Sequence, residues 1–96
     1  MIAVIATLRV QEGKGSELEA VFADLAAKVR ANEPGNSLYQ LTKSRTEANT
    51  YKVMELYRDV AAQDAHRSSD HFKAGGPLLG ACLAGRPEIE YLDTVG

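Results

Sequence analysis

Tryptophan is absent from the 96 residues, cysteine occurs once, and there are only three prolines. A lone cysteine, Cys82, excludes an internal disulfide, and its apolar setting between Leu78 and Leu83 marks it as a small hydrophobic side chain rather than a nucleophile. Charge of one sign is also lacking: the formal net charge is -2, and the eleven Lys and Arg residues are scattered from Arg9 to Arg86 without a run. Nucleic acid and anionic membranes are therefore poor partners. No apolar run approaches the roughly 20 residues needed to span a bilayer. Met1 to Ala6 has neither a positive leader nor a small-residue cleavage site, so the expected location is cytoplasmic. P-loop, GxGxxG and HExxH motifs are missing, as is any Cys/His zinc spacing, which leaves flavin, nicotinamide and metal cofactors without sequence support.

What is present is ordinary for a globular chain, with 45% hydrophobic and 25% charged residues. The length predicts a single domain over residues 1–96. A chain of this size buries only about two-thirds of its unfolded surface, so association with a second copy would help it.

Ile2 to Val10 reads as a strand with apolar residues on both faces: Ile2, Val4, Ala6, Leu8 and Val10 on one, Ala3 and Ile5 on the other, followed by Thr7 and Arg9. Ser16 and Glu19 form a capping-box pattern ahead of one helical stripe, Leu18, Val21, Phe22, Leu25, Ala26 and Val29. That helix should stop by Asn32 or Glu33, before Pro34 and Gly35. Two strands are expected at Ser37–Ser44 and Tyr51–Arg58, joined as an antiparallel hairpin. Asp59 suits the N-cap of a helix from Val60 to about Ser68, and Ser69 with Asp70 can restart a short turn carrying His71 and Phe72. Gly75, Gly76 and Pro77 should then break the chain, with a short apolar helix from Pro77 to Leu83. Pro87–Asp93 reads as the last strand.

The order β-α-β-β-α-α-β predicts an α+β, ferredoxin-like split βαβ domain with a four-stranded antiparallel sheet and helices on one face. The other face needs a cover, which a homodimer with its two sheets packed together would supply.

Both histidines lie between Glu55 and Lys73, the one stretch where side chains of near-neutral pKa can be aimed at a bound molecule. His66 follows Ala62 and Ala65 on the side expected to face the sheet. It reads either as a base or donor in a cavity, or as a helix-end residue. His71 can cap a helix or hold the next segment. Five residues apart on a continuous helix, the two sit about 140° around the axis from one another. They could meet one metal ion only if the helix breaks at Ser68 and Ser69. Glu55, in mid-strand, is either a partner for Arg58 or Arg67 or a group that orients a histidine. Tyr39, Tyr51, Tyr57 and Tyr91 either pack the sheet or line an aromatic pocket.

Glu33-Pro34-Gly35 ahead of Leu38-Tyr39, then Glu55 to Arg58, Ala62, Ala65-His66, Ser69 and His71-Phe72-Lys73, together resemble the antibiotic biosynthesis monooxygenase domain. The resemblance spans nearly the whole chain. It implies a dimeric α+β-barrel with a pocket between sheet and helices in each protomer. It also implies a small-molecule substrate and O2 as partners, because similar proteins oxidise quinols and anthrones without flavin, metal or haem. Carried over residue by residue, His66 becomes the base or hydrogen-bond donor. Beside it, Tyr39, Glu55, His71 and Phe72 are this sequence's own candidates for substrate contacts. Thr7 falls where several members place an asparagine, and its hydroxyl is a weaker polar contact. Haem-degrading members combine that asparagine with a tryptophan and a haem-ligating histidine; Thr7, His66 and Gly76 stand at those positions, so haem degradation is not implied. Other members with a similar scaffold act as isomerases on a phosphorylated, sugar-like ketone. The expected function is thus a cofactor-independent monooxygenase for a quinol, anthrone or polyphenol. The alternatives are proton transfer on a small carbonyl compound and a non-catalytic dimeric ligand-binding module.

Overall fold

In a computed structural model, which describes residues 1–96, four antiparallel strands form one sheet in the order β2-β3-β1-β4. They are β1 (Ile2–Arg9), β2 (Asn36–Lys43), β3 (Thr50–Tyr57) and β4 (Glu88–Asp93), with helices α1 (Gly15–Asn32), α2 (Val60–Arg67) and α3 (Asp70–Gly80) between them. This is the α+β ferredoxin-like plan expected from the sequence. The Arg45–Thr50 link closes the β2–β3 hairpin, with Ser44 Oγ accepting from the backbone N–H of Thr46 and Glu47 and Asn49 adopting a positive φ of 55°.

The strand register sorts the side chains into rows. On the helix-covered face, Tyr91, Val4, Glu55 and Tyr39 align across all four strands, and Ile89, Ala6, Val53 and Leu41 form the next row. The stripe on α1 packs here: Leu18, Leu25 and Val29 are fully buried, with Phe22 stacked on Tyr39 at 5.0 Å between ring centroids. Each such aliphatic side chain contributes about 1.5–3 kcal/mol by leaving water. On the other face no helix lies over the sheet. There Leu92, Ala3, Leu56 and Leu38 make one row across the four strands, Ile5 and Met54 the core of the next, and Thr7, Lys52 and Thr42 a polar third.

Three local expectations give way to packing. The capping box at Ser16 does not form: α1 begins at Gly15 after Lys14 with no side-chain cap, and Glu19 instead accepts a 2.6 Å hydrogen bond from the hydroxyl of Tyr51. Gly75-Gly76-Pro77 does not break the chain, because α3 runs through all three. Proline inside a helix costs about 3 kcal/mol, but here the bare Gly75 lets α3 lie close against α1: a Cβ at that position would meet Leu25 at 3.3 Å. The separate apolar helix to Leu83 is also absent. After Gly80 the chain turns, and Leu83 pairs with Val10 at the end of β1. Cys82 is buried beside that bridge, its thiol pointing at the Leu78 carbonyl at 3.6 Å.

Candidate active site

Between α2, α3 and the helix-covered face of the sheet lies a cavity of about 260 Å³. Its floor is the row Tyr91, Val4, Glu55 and Tyr39, and its roof is formed by His66, Phe72, Gly76 and Leu79. Gly76 adds no side chain here, which keeps the roof open.

The local chemistry of the α2–α3 junction sets this roof. Asp59 caps α2 as expected, accepting from Ala62 N–H at 2.8 Å. The helix ends after Arg67. Ser69 then does two things: its hydroxyl donates to the His66 carbonyl at 2.7 Å and accepts from Phe72 N–H at 3.2 Å, which starts α3 in a new direction. The break at Ser68 and Ser69 turns the two histidines towards each other, with ring centroids 6.4 Å apart.

Both meet a residue that the sequence does not single out for chemistry. Glu33 closes α1, and its carboxylate oxygens lie 2.9 and 3.1 Å from Nδ1 of His66, while Nε2 of His71 contacts the nearer oxygen. The turn Glu33-Pro34-Gly35 is pressed against α2, because Gly35 sits where a Cβ would come within 2.6 Å of the Ala62 methyl. A glycine is required for that approach. Sequence reasoning misses Glu33 because its partners are 33 and 38 positions away; the Glu-Pro-Gly phrase is the available signal, and it reads as a helix stop. Gln63, buried and lining the cavity, is the other polar residue it misses.

His66 is 3% exposed, packed against Tyr39, Tyr57 and Phe72. Its Nε2 has no protein partner, yet no enclosed side-chain nitrogen or oxygen goes unpaired. That edge of the ring therefore opens to the cavity. The same reasoning places the free Oε2 of Glu55 and the Tyr39 hydroxyl on cavity space. Glu55 pairs with neither Arg58 nor Arg67: its Oε1 accepts from the Tyr57 hydroxyl at 2.6 Å, and Arg58 lies beside Asp59 at 3.5 Å. Burial pushes the Glu55 carboxyl up to about 7, against the opposing effect of the Tyr57 bond. Burial lowers the His66 pKa, with the hydrogen bond and charge of Glu33 working the other way. The Tyr39 and Tyr57 phenols are pushed up by burial and by the Glu55 charge. Near neutral pH these shifts favour the neutral imidazole of His66, the protonated carboxyl of Glu55 over its ordinary ionised form, and a protonated Tyr39 phenol.

His66, Tyr39, Glu55 and Phe72 thus converge on one cavity. His71 stands behind it, reaching Glu33 from the outer side, where it lines a shallow depression with Asn36 and Arg58. Thr7 does not join them. It lies on the opposite face, in a depression of about 410 Å³ with Thr42, Lys52 and Glu88, because its odd position on β1 alternates away from Ala6 and Leu8. Donor atoms of Glu33, His66 and His71 lie within 4.8 Å of one another and are the one group here that could meet a metal ion.

A ferredoxin-like domain whose apolar cavity holds a few convergent polar groups is the architecture of a small-molecule site. Residues 1–76 match the antibiotic biosynthesis monooxygenase family, and the chain belongs to it. It is 33% identical over 87 residues to the Bacillus subtilis (strain 168) protein described as "Putative monooxygenase YcnE", covering 86% of this chain and 90% of that one. Among solved structures, it superposes with a TM-score of 0.95 on a protein from Caulobacter crescentus CB15 described as a "putative antibiotic biosynthesis monooxygenase", at 56% identity, over 99% of this chain and 90% of the other. A conserved protein from Methanosarcina mazei Go1 shares 28% identity and gives a TM-score of 0.90, over 95% and 89% of the two chains. No helix is long and apolar enough to cross a membrane.

Proposed function

We propose that this protein is a cytoplasmic, homodimeric, cofactor-independent monooxygenase for a small quinol, anthrone or related polyphenol, with His66 as its base. The observation that carries this reading is the unpaired Nε2 of a buried His66 at the edge of an aromatic-walled cavity. An electron-rich phenol or anthrone needs little more than deprotonation in a dry place. His66 Nε2 takes the proton, and the resulting anion gives one electron to O2. The two radicals join through a new C–O bond, and the peroxide takes its proton from the imidazolium. Loss of water then breaks the O–O bond and leaves a carbonyl, so one oxygen atom stays in the product and the other departs as water. Phe72, Tyr39 and Tyr91 supply stacking surfaces, and Glu55 and Gln63 the polar contacts that orient hydroxyl groups.

The dimer reading rests on the open face, where Met54 is 43% and Leu92 38% exposed within rows of apolar side chains that no helix covers. A second copy of the same sheet would bury them.

Oxygen uptake by metal-stripped protein, measured against a panel of quinols, anthrones and catechols with autoxidation subtracted, tests the activity. Uptake should fall about 10²–10⁴-fold in His66→Ala. Glu55 favours a second reading: with a carboxyl pushed up to about 7 and His66 lining the same cavity, the site holds two groups able to move a proton next to a carbonyl. Substrate turnover without oxygen consumption would select that isomerase chemistry. Ligand binding without turnover would select a sequestering module.

A further inference from the structure

Glu33 is the side chain that hydrogen-bonds to both histidines, and it is itself only 8% exposed. No lysine or arginine pairs with it, so its hydrogen-bond donors are the two imidazoles. A carboxylate has no proton to give, and each ring nitrogen that bonds to it must bring one. That requirement fixes the tautomer of His66: the proton sits on Nδ1, and Nε2, the edge facing the cavity, is a bare lone pair.

We propose that Glu33 is a positioning residue that, held by His71 from its far side, locks His66 in the Nδ1–H tautomer and so makes its cavity edge an acceptor rather than a donor. The inference rests on the reading of His66 as base and specifies what makes it one. Three features of the chain converge on it. Gly35 lets the end of α1 press on Ala62, the break at Ser69 swings His71 round, and Phe72 and Tyr39 pack against the His66 ring with centroids 4.8 and 5.2 Å away. When Nε2 takes a proton, the imidazolium forms with its Nδ1–H already aimed at a carboxylate, so the new charge is offset without movement of a second proton. His71 steadies the arrangement by giving Glu33 a second donor, which keeps the carboxylate from rotating away. A metal ion among the three donors would demand the reverse: it would take the Nδ1 lone pair and leave a proton on Nε2, converting the cavity edge into a donor.

Long-range ¹⁵N–¹H NMR of the histidine ring nitrogens in the intact, metal-stripped protein tests this without any substrate. In the wild type, His66 should show a protonated Nδ1 and an unprotonated Nε2 in its neutral form. Glu33→Gln presents an amide that can donate as well as accept, and the Nδ1–H population of His66 should fall. Glu33→Asp keeps the carboxylate and should retain most of it, as should His71→Gln, which still offers a donor, whereas His71→Leu should not. With any quinol that the wild type oxidises, Glu33→Gln should lower uptake about 10²-fold or more and Glu33→Asp by less than about 10-fold. An Nε2–H tautomer in the wild type would overturn the proposal even if every variant failed to fold. So would an unchanged tautomer in folded Glu33→Gln, or one equivalent of zinc held on Nδ1 in the protein as purified. Should the tautomers behave as stated while no compound supports oxygen uptake, the oxygenase reading fails and the positioning role of Glu33 stands.

Discussion

The two faces of β3 are built from alternate residues of one strand and have opposite fates. Tyr51, Val53, Glu55 and Tyr57 turn towards the helices, where all but Glu55 are buried. Lys52, Met54 and Leu56 turn to a face no helix covers. The first face carries both the stability of the isolated fold and the polar groups of the cavity. The second carries neither, yet remains apolar over half its length. A nearly two-sided hydrophobic strand can thus divide its work: one side folds the chain and shapes the cavity, and the other stays apolar with no helix over it.

The sharpest way to break that division is through the core. Leu18→Ala, on the buried stripe of α1, should destabilise the protein by about 2–5 kcal/mol. Met54→Ala on the open face should cost the protomer less than about 1 kcal/mol. Urea unfolding at low protein concentration measures both, and similar losses would mean that the open face is as much a part of the folded protomer as the core. Next in size, Met54→Asp places a charge in the middle of the open face. If two sheets pack there, the dimer should dissociate at micromolar concentration, read by analytical ultracentrifugation, while cavity residues keep their environment. A wild-type monomer under the same conditions would sink the dimer reading outright.

How much of this is legible in the sequence follows from the range of each interaction. Strand alternation in β1 and β3 and the stripe Leu18 to Val29 are local patterns, so four strands, a long first helix and the ferredoxin-like order can be read directly. The cap by Asp59 is equally local. The failures are long-range. Glu19 abandons a capping box for Tyr51, 32 residues on, and α3 continues through Gly75-Gly76-Pro77 because packing on α1 outweighs weak helix propensity. In the site, His66 is recognisable from its residue type and its alanine neighbours. Glu33 is not, because a helix-ending Glu before Pro-Gly has the same local signature whether or not it later meets two histidines. Thr7 shows the converse: family resemblance nominates it, but a period of two sends it to the face opposite His66.

A smaller effect should distinguish Glu55 from the neutral core around it. Its carboxyl pKa rises from the ordinary value to about 7 in the fold, so the folded state favours the protonated form. Its contribution to stability is full below about pH 4.5 and declines as pH rises towards 7, above which it levels off. Glu55→Gln removes that decline, so the variant should gain on the wild type by about 1–3 kcal/mol between pH 4.5 and 7.5. Urea unfolding across that range checks it, and a pH-independent difference would mean that Glu55 is ionised as readily in the fold as outside it.

The smallest expected change sharpens the comparison from the other side. Thr7 is half-buried on the open face, with its hydroxyl bonded to no protein group, and Ile5 and Lys52 are among its neighbours. Thr7→Val exchanges a hydroxyl for a methyl of similar volume on a strand that favours β-branched side chains. Stability should shift by no more than about 0.5 kcal/mol, and the affinity of the helix-side cavity for a quinol measured by titration calorimetry should stay within about twofold of the wild type. A large loss of quinol affinity would show that β1 transmits the state of one face to the other through Ala6 and Leu8. The sheet would then be a coupled wall between site and interface, and the division of labour along β1 and β3 would hold for stability but not for binding.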